Sequence, residues 1–325
     1  MSLMNAHEAL GQALAEEMQR DSRVLMFGEG VATKRKDLLE AFGPQRVRNT
    51  PLAEGIIAGT AAGAAATGLR PVADLLFAPF LCFAMDGIVN SAGKLRYMSG
   101  GQFEFPMVIL AMTGGGWTVG AQHNHNIEAW FVHSPGLKVV MPSTPADFKG
   151  LMKAAIRDDN PVLFFMDMAL GFEPGEVPEG EWIVPLGQAA IRREGTDLTL
   201  ISYAKTVHTC LAAADALAGQ GLSAEVIDLR TLKPLDEATL LASVRKTGRA
   251  IVVHEAGALC GVGAEVAALL SEKAFDALKA PLVRITGPDA PAPSSYALEQ
   301  AFMPQPAAIA QAGLDLVQRD ALVGR

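Results

Sequence analysis

Two α/β domains, each a mostly parallel sheet covered by helices, are what this sequence predicts. Three observations carry the prediction. Short apolar stretches alternate with amphipathic ones along the whole chain, the pattern of strand–helix repeats. The 325 residues suit two domains of ordinary size, and 50% of them are hydrophobic against 19% charged. Between Gly171 and Pro185 the composition turns to proline, glycine and acidic residues, as expected of a linker. The expected domains are therefore 1–178 and 186–325.

The elements follow in order. His7 to Asp21 has amphipathic helical spacing. Val24–Phe27 is a buried strand ended by Gly28. Leu38–Phe42 is a short helix stopped by Gly43-Pro44, and Arg46–Asn49 is extended. Next comes a helix of small residues in which Gly55, Gly59 and Gly63 share one face. Each glycine costs a helix about 0.5–1 kcal/mol, so the face implies close approach of another backbone, with a second subunit's helix as one candidate. Pro71–Leu76 is a strand and Phe80–Tyr97 a long helix. Met107–Ala111 is a strand running into Gly114-Gly115-Gly116. Lys138–Met141 is a strand, Thr144–Arg157 a helix with proline in its first turn, and Val162–Phe165 a strand. The second half repeats the logic, with strands at 198–202, 224–229, 250–254 and 282–285. Helices are expected at 207–220, after Asp236, and at 263–270.

Several function classes are excluded. A net charge of −8, with no basic run beyond Lys34-Arg35-Lys36, argues against a nucleic-acid surface. That triplet reads as a solvated loop or a minor anion contact. Cys82, Cys210 and Cys260 form no CxxC pair, which suits reduced thiols and a cytoplasmic protein. Met1–Met4 reads as a cloning scar before a second start. The apolar run Gly55–Leu69 is shorter than the ~20 residues that span a bilayer. Neither a Walker A motif nor a GxSxG elbow occurs. Gly28-Glu29-Gly30 and Gly261-Val262-Gly263 both lack the third glycine of a dinucleotide fingerprint.

Three segments could carry chemistry. In Thr50-Pro51-Leu52-Ala53-Glu54-Gly55 a carboxylate opens an apolar helix. It is either a helix-capping glutamate, favoured by the helix dipole, or a group whose pKa apolar surroundings raise. Beyond Gly114–Gly116, the run Gln122-His123-Asn124-His125 puts histidines just past the carboxyl end of a strand, where open sheets bind ligands. Local hydrogen bonding of both rings, or metal ligation with His133, are the alternatives. Finally, helix-end carbonyls with Asp158 and Asn160 could ligate a hard cation, or could form an ordinary polar helix end.

Together these segments resemble β subunits of the E1 components of 2-oxoacid dehydrogenase complexes, and the similar acetoin dehydrogenase β subunits. The resemblance rests on Phe42–Val47, Thr50–Glu54, Gly63–Pro71, Asn90–Lys94, Tyr97–Gly101, Gly120–His123, His133–Val140, Ala155–Pro161, Asp228–Asp236 and Gly261–Glu265, and covers nearly the whole chain. It implies a transketolase-like pyrimidine-binding domain followed by a transketolase C-terminal domain. It further implies thiamine diphosphate as cofactor, with Glu54 on N1′ of the aminopyrimidine and Leu76 and Phe80 as ring contacts. Glu54 would promote the imino tautomer that deprotonates the thiazolium C2. His123 would handle substrate or lipoyl protons. Met107, Ala155, Ile156, Asp158 and Asn160 would hold a structural K+.

No Gly-Asp-Gly motif occurs in this chain. The resemblance therefore assigns Mg2+ and the diphosphate to a separate α subunit in an α2β2 assembly, with a lipoyl-bearing E2 acyltransferase as further partner. Acetoin or pyruvate is the expected substrate, with a branched-chain 2-oxoacid third. A split transketolase-like transferase without lipoate, and a non-catalytic nucleotide-binding subunit, are the competing readings. Two departures bear on the substrate. The loop after Gly28-Glu29 is shortened, and His125 follows where the family has Gln-His-Ser-Gln.

Overall fold

A computed structural model describes residues 1–323, with side chains through residue 318. Fourteen strands are present among the described residues. In the first half they are β1 (Ser2–Asn5), β2 (Val24–Glu29), β3 (Val47–Thr50), β4 (Arg70–Phe77), β5 (Val108–Thr113), β6 (Lys138–Val140), β7 (Val162–Asp167) and β8 (Pro174–Val177). In the second half they are β9 (Ala190–Arg193), β10 (Leu198–Ser202), β11 (Ala224–Asp228), β12 (Thr231–Lys233), β13 (Ala250–Gly257) and β14 (Val283–Gly287). A seven-stranded sheet has the order β12-β6-β7-β5-β4-β2-β3, and a five-stranded sheet the order β14-β13-β10-β11-β9. Both are parallel except at one edge, β12 in the first and β9 in the second. The α/β class and the layering therefore stand. Central β5 and β7 are buried at every position, which is why they read as unbroken apolar runs.

The two halves are stitched together. Strand β12, from the second half, extends the first sheet. Across the same seam Arg230 Nη1 meets Asp147 Oδ1 at 3.1 Å, while the Arg192 guanidinium meets Asp228 Oδ2 at 2.7 Å and also pairs with Asp147. Ser143 Oγ donates to Asp228 Oδ2 at 2.5 Å.

Two segments are more ordered than expected, and one expected helix is broken. In the Met1–Met4 stretch and the residue after it, Ser2–Asn5 is β1, paired antiparallel with β8, and the terminal amine meets Glu179 Oε1 at 2.9 Å. The proposed linker is accordingly built into the first half. It carries β8, Trp182 Nε1 donates to the Ala146 carbonyl at 3.0 Å, and Glu181 pairs with buried Lys153 at 2.5 Å. The long helix 80–97 is broken into a 3₁₀ segment (Ala78–Ala84), a π-helical segment (Asp86–Ala92) and a short α-helix (Gly93–Met98). Two backbone contacts explain the break. A Cβ at Gly87 would lie 3.0 Å from the Gly59 nitrogen, and one at Gly136 would lie 1.8 Å from the Gly93 carbonyl oxygen. The chain winds irregularly so that both close approaches are kept.

Candidate active site

The first wall of the site is the helix Glu54–Ala66. Its buried stripe is Ile57, Ala58, Ala61, Ala62 and Ala65, which turns Gly55, Gly59 and Gly63 outward. Gly55 approaches the Phe83 carbonyl, at 2.9 Å from an added Cβ, whereas Gly59 and Gly63 face open space in this chain. The side chain of Glu54 does not cap its own helix and enters no hydrogen bond or ion pair among the described residues. Leu52 and Ile56, two residues to either side of it in the chain, and Phe83, whose carbonyl Gly55 approaches, are 70%, 72% and 69% exposed.

Opposite lies the end of β4. Leu76 takes a positive φ of 62°, a conformation costly for a side chain with a Cβ, held by the Asp74 carboxylate accepting from the Leu76 N–H at 2.9 Å. The β4–β5 register slips at the same place, between Asp74 and Phe77. Phe77 and Phe80 then both meet the His123 ring edge-on, with centroids 4.8 and 5.3 Å away. Phe80 and His123 are thus brought together, while Leu76, beside Phe77 in the chain, lines a neighbouring cavity with His7, Met26 and Trp117. Gly55 connects Glu54 to the same 3₁₀ segment that carries Phe80.

The loop bearing His123 is pinned by carboxylates from the other half of the chain. Glu255, at the end of β13, accepts from the Gly115 N–H at 2.6 Å. Glu299 accepts from the Thr118 N–H at 3.0 Å and from Asn124 Nδ2 at 2.7 Å. Gly114 (φ 79°) and Gly116 (φ 113°) make the turn, and a Cβ on Gly116 would crowd Ala169 at 2.9 Å. Asp167 and Glu128 lie close by, and Tyr203 Oη donates to Glu128 Oε1 at 2.6 Å. All four carboxyl groups are buried. Burial pushes Glu255, Asp167 and Glu128 above the ordinary carboxyl range, and for Glu255 the neighbouring Asp167 charge pushes further the same way. The sequence reading missed Phe77, Asp167, Glu255 and Glu299. Of these, Glu255 was signalled by its place at the carboxyl end of an apolar strand.

The remaining candidates lie elsewhere. The Ile156 carbonyl accepts from Arg70 Nη1 at 2.9 Å, Asn160 Oδ1 accepts from Arg96 Nη1 at 2.9 Å, and the Asp158 carboxylate pairs with Lys138. The Met107 carbonyl accepts from the Val162 N–H at 2.9 Å, and that of Ala155 from the Asp158 N–H at 3.3 Å. His125 is exposed beside Trp130, and no group of His, Cys, Asp or Glu suited to a metal occurs among the described residues. Both glycine pairs have packing roles. A Cβ at Gly28 would meet the Asp74 carbonyl at 2.1 Å, and one at Gly263 would meet His254 Nε2 at 2.5 Å. The three cysteines are free, and no helix among the described residues is long and apolar enough to cross a membrane.

Comparison with known proteins places this geometry. Residues 3–171 match the family described as "Transketolase, pyrimidine binding domain", and residues 187–309 match "Transketolase, C-terminal domain". The chain is 43% identical to the 2-oxoisovalerate dehydrogenase subunit beta of Bacillus subtilis (strain 168), over 98% of this chain and 100% of that one. It is 44% identical to the acetoin:2,6-dichlorophenolindophenol oxidoreductase subunit beta of Cupriavidus necator, over 94% of each chain. Among solved structures, one titled "Split gene transketolase, inactive beta4 tetramer" superposes with a TM-score of 0.81 at 26% identity, covering 97% of this chain and 98% of the other.

Proposed function

The chain belongs to the family of E1 β subunits built from transketolase pyrimidine-binding and C-terminal domains, and from that premise we propose that it is one half of a thiamine diphosphate active site completed by an α chain. The observation that carries this is the state of Glu54. It is a carboxylate at a helix start, without a hydrogen-bond or ion-pair partner among the described residues, on a stretch of chain where Leu52 and Ile56 are exposed.

The residues present fit the pyrimidine end of that cofactor. Glu54 offers an unengaged acceptor for a ring nitrogen, and Leu76 and Phe80 offer apolar contacts. Once bound, thiamine diphosphate supplies a carbon nucleophile and an electron sink. Glu54 would hold a proton at the ring nitrogen, and the exposed apolar side chains would exclude water once a second chain covers them. His123, steadied by Phe77 and Phe80, exchanges protons with the substrate. With no Gly-Asp-Gly motif here, Mg2+ and the diphosphate fall to the α chain. A structural K+ at Met107, Ala155, Ile156, Asp158 and Asn160 would share carbonyl lone pairs with the arginines and N–H groups already there. The outward face of Gly59 and Gly63 is the proposed seam of an α2β2 assembly, and the second half, within proposed domain bounds of 1–178 and 186–325, docks a lipoyl-bearing E2. Free thiols suit the proposed cytoplasmic setting.

The proposed reaction is cleavage of acetoin or oxidative decarboxylation of pyruvate or another 2-oxoacid, with acyl transfer to lipoate. The test is turnover of a substrate panel by the chain plus its α partner, read with lipoamide or an artificial electron acceptor. Turnover of at least one of these substrates is expected. Ketol transfer between sugar phosphates without acceptor reduction would replace this reading with a split transketolase.

A further inference from the structure

A cavity of about 420 Å3 lies against α-helical residues His7 and Leu10 at the carboxyl ends of β2, β4, β5 and β7. That volume falls in the ~300–1,000 Å3 range of small-molecule sites. Its lining is mostly apolar. Met26, Met112 and Met166 contribute flexible thioethers, and Leu76, Phe77 and Trp117 add apolar wall, Phe77 also meeting the His123 ring.

The polar lining is confined to His7, Lys34, Arg35 and Asp74. Lys34 Nζ pairs with Asp74 Oδ2 at 3.1 Å, so those two charges cancel. Arg35 differs. Its neighbours in the basic triplet are exposed, but its own side chain turns inward and is largely buried, which pushes its guanidinium below the ordinary value. Its hydrogen bonds run from Nη1 and Nη2 to the His7 carbonyl, each at 3.3 Å, and it makes no ion pair among the described residues; Asp37 and Asp74 act on it only through their more distant charges. Room for it is made by Gly11, in mid-helix, where an added Cβ would lie 2.7 Å from Arg35 Nη1. A desolvated guanidinium without a counter-charge is costly, and it stands beside an apolar cavity of ligand size.

We propose that this cavity binds a carboxylate bearing an unbranched apolar chain, the carboxylate on Arg35 and the chain among the methionines. Two cations against one carboxylate leave a single net positive charge in the lining, matching a monoanion. The binding claim does not rest on the thiamine reading, because it is measured on the full chain alone.

Calorimetric titration of the full chain with hexanoate, octanoate and decanoate tests it. Each added methylene should tighten binding roughly four-fold. Decanol, with the same chain and no charge, should bind at least about ten-fold more weakly than decanoate, and Arg35→Gln should lose a similar factor for decanoate. Met112→Phe, which fills the cavity, should weaken all of them. Absence of saturable decanoate binding would overturn the proposal, as would equal binding of decanol and decanoate; that pair needs no variant, so misfolding cannot blur it. Unchanged decanoate affinity in a folded Arg35→Gln chain would overturn it too. The source of the carboxylate is read by 2-oxodecanoate. At least about ten-fold tighter binding than decanoate marks a substrate's side chain, and equal binding marks a free carboxylate ligand, the pocket standing in both cases.

Discussion

The two walls of the site are built to different degrees of completion. Around His123, every main-chain turn is held from within the chain: Glu255 on Gly115, Glu299 on Thr118 and Asn124, two phenylalanines on the imidazole. Around Glu54 the backbone is set but the side chain is not: its carboxylate makes no hydrogen bond or ion pair among the described residues, and Leu52, Ile56 and Phe83 lie open. The contrast teaches where binding energy has to come from. The His123 wall is preorganised by folding, whereas under the proposed function the Glu54 wall would acquire its partner and its water exclusion only on assembly.

The comparison is broken most sharply by substitution on each wall. Glu54→Ala should reduce thiamine-dependent turnover by about 1,000-fold or more while leaving thermal unfolding of the isolated chain nearly unchanged, because no hydrogen bond or ion pair among the described residues is lost. Glu299→Ala should do the reverse first. It strands the Thr118 N–H and Asn124 Nδ2, so it should destabilise the chain by about 2–4 kcal/mol in denaturant titration, with Glu299→Gln recovering part of the loss.

Acid–base titration sharpens the same comparison. Glu255 has a folded pKa raised above its ordinary value of 4.5, because burial outweighs the Gly115 N–H bond that favours the anion. Its contribution to stability is therefore fully present below pH 4.5 and is lost as pH rises through the folded value, and raised Asp167 acts in the same direction. Chain stability should fall by a few kcal/mol between about pH 5 and about pH 9, and Glu255→Gln should flatten that slope. The smallest effect is expected for Ile56→Ser. Stability of the isolated chain should move by less than about 0.5 kcal/mol, while association with the α chain, followed by sedimentation, weakens.

Local signals in the sequence reported the frame well. The stretch 198–202 is a strand with those bounds, and Thr144 caps its helix by accepting from the Asp147 N–H, as proline at the next position foretold. What stayed hidden was non-local. Ser2–Asn5 becomes a strand only because Pro174–Val177 pairs with it, and Thr231–Lys233 only because β6 offers an edge. The broken segment from Ala78 to Met98 has helical apolar spacing; Gly87 and Gly93 disclose the break only when their neighbours are known. At the candidate site, Glu54 and His123 were singled out as expectations by flanking motifs. Glu299 was not, since it acts on residues about 180 positions away.

The central claim is that this chain holds only the pyrimidine half of the cofactor site. Calorimetric titration of thiamine diphosphate and Mg2+ into the chain, alone and then with the α chain, measures it directly. The account predicts no saturable heat below about 1 mM for the chain alone and tight binding once both chains are present. Micromolar binding by this chain without a partner would contradict it.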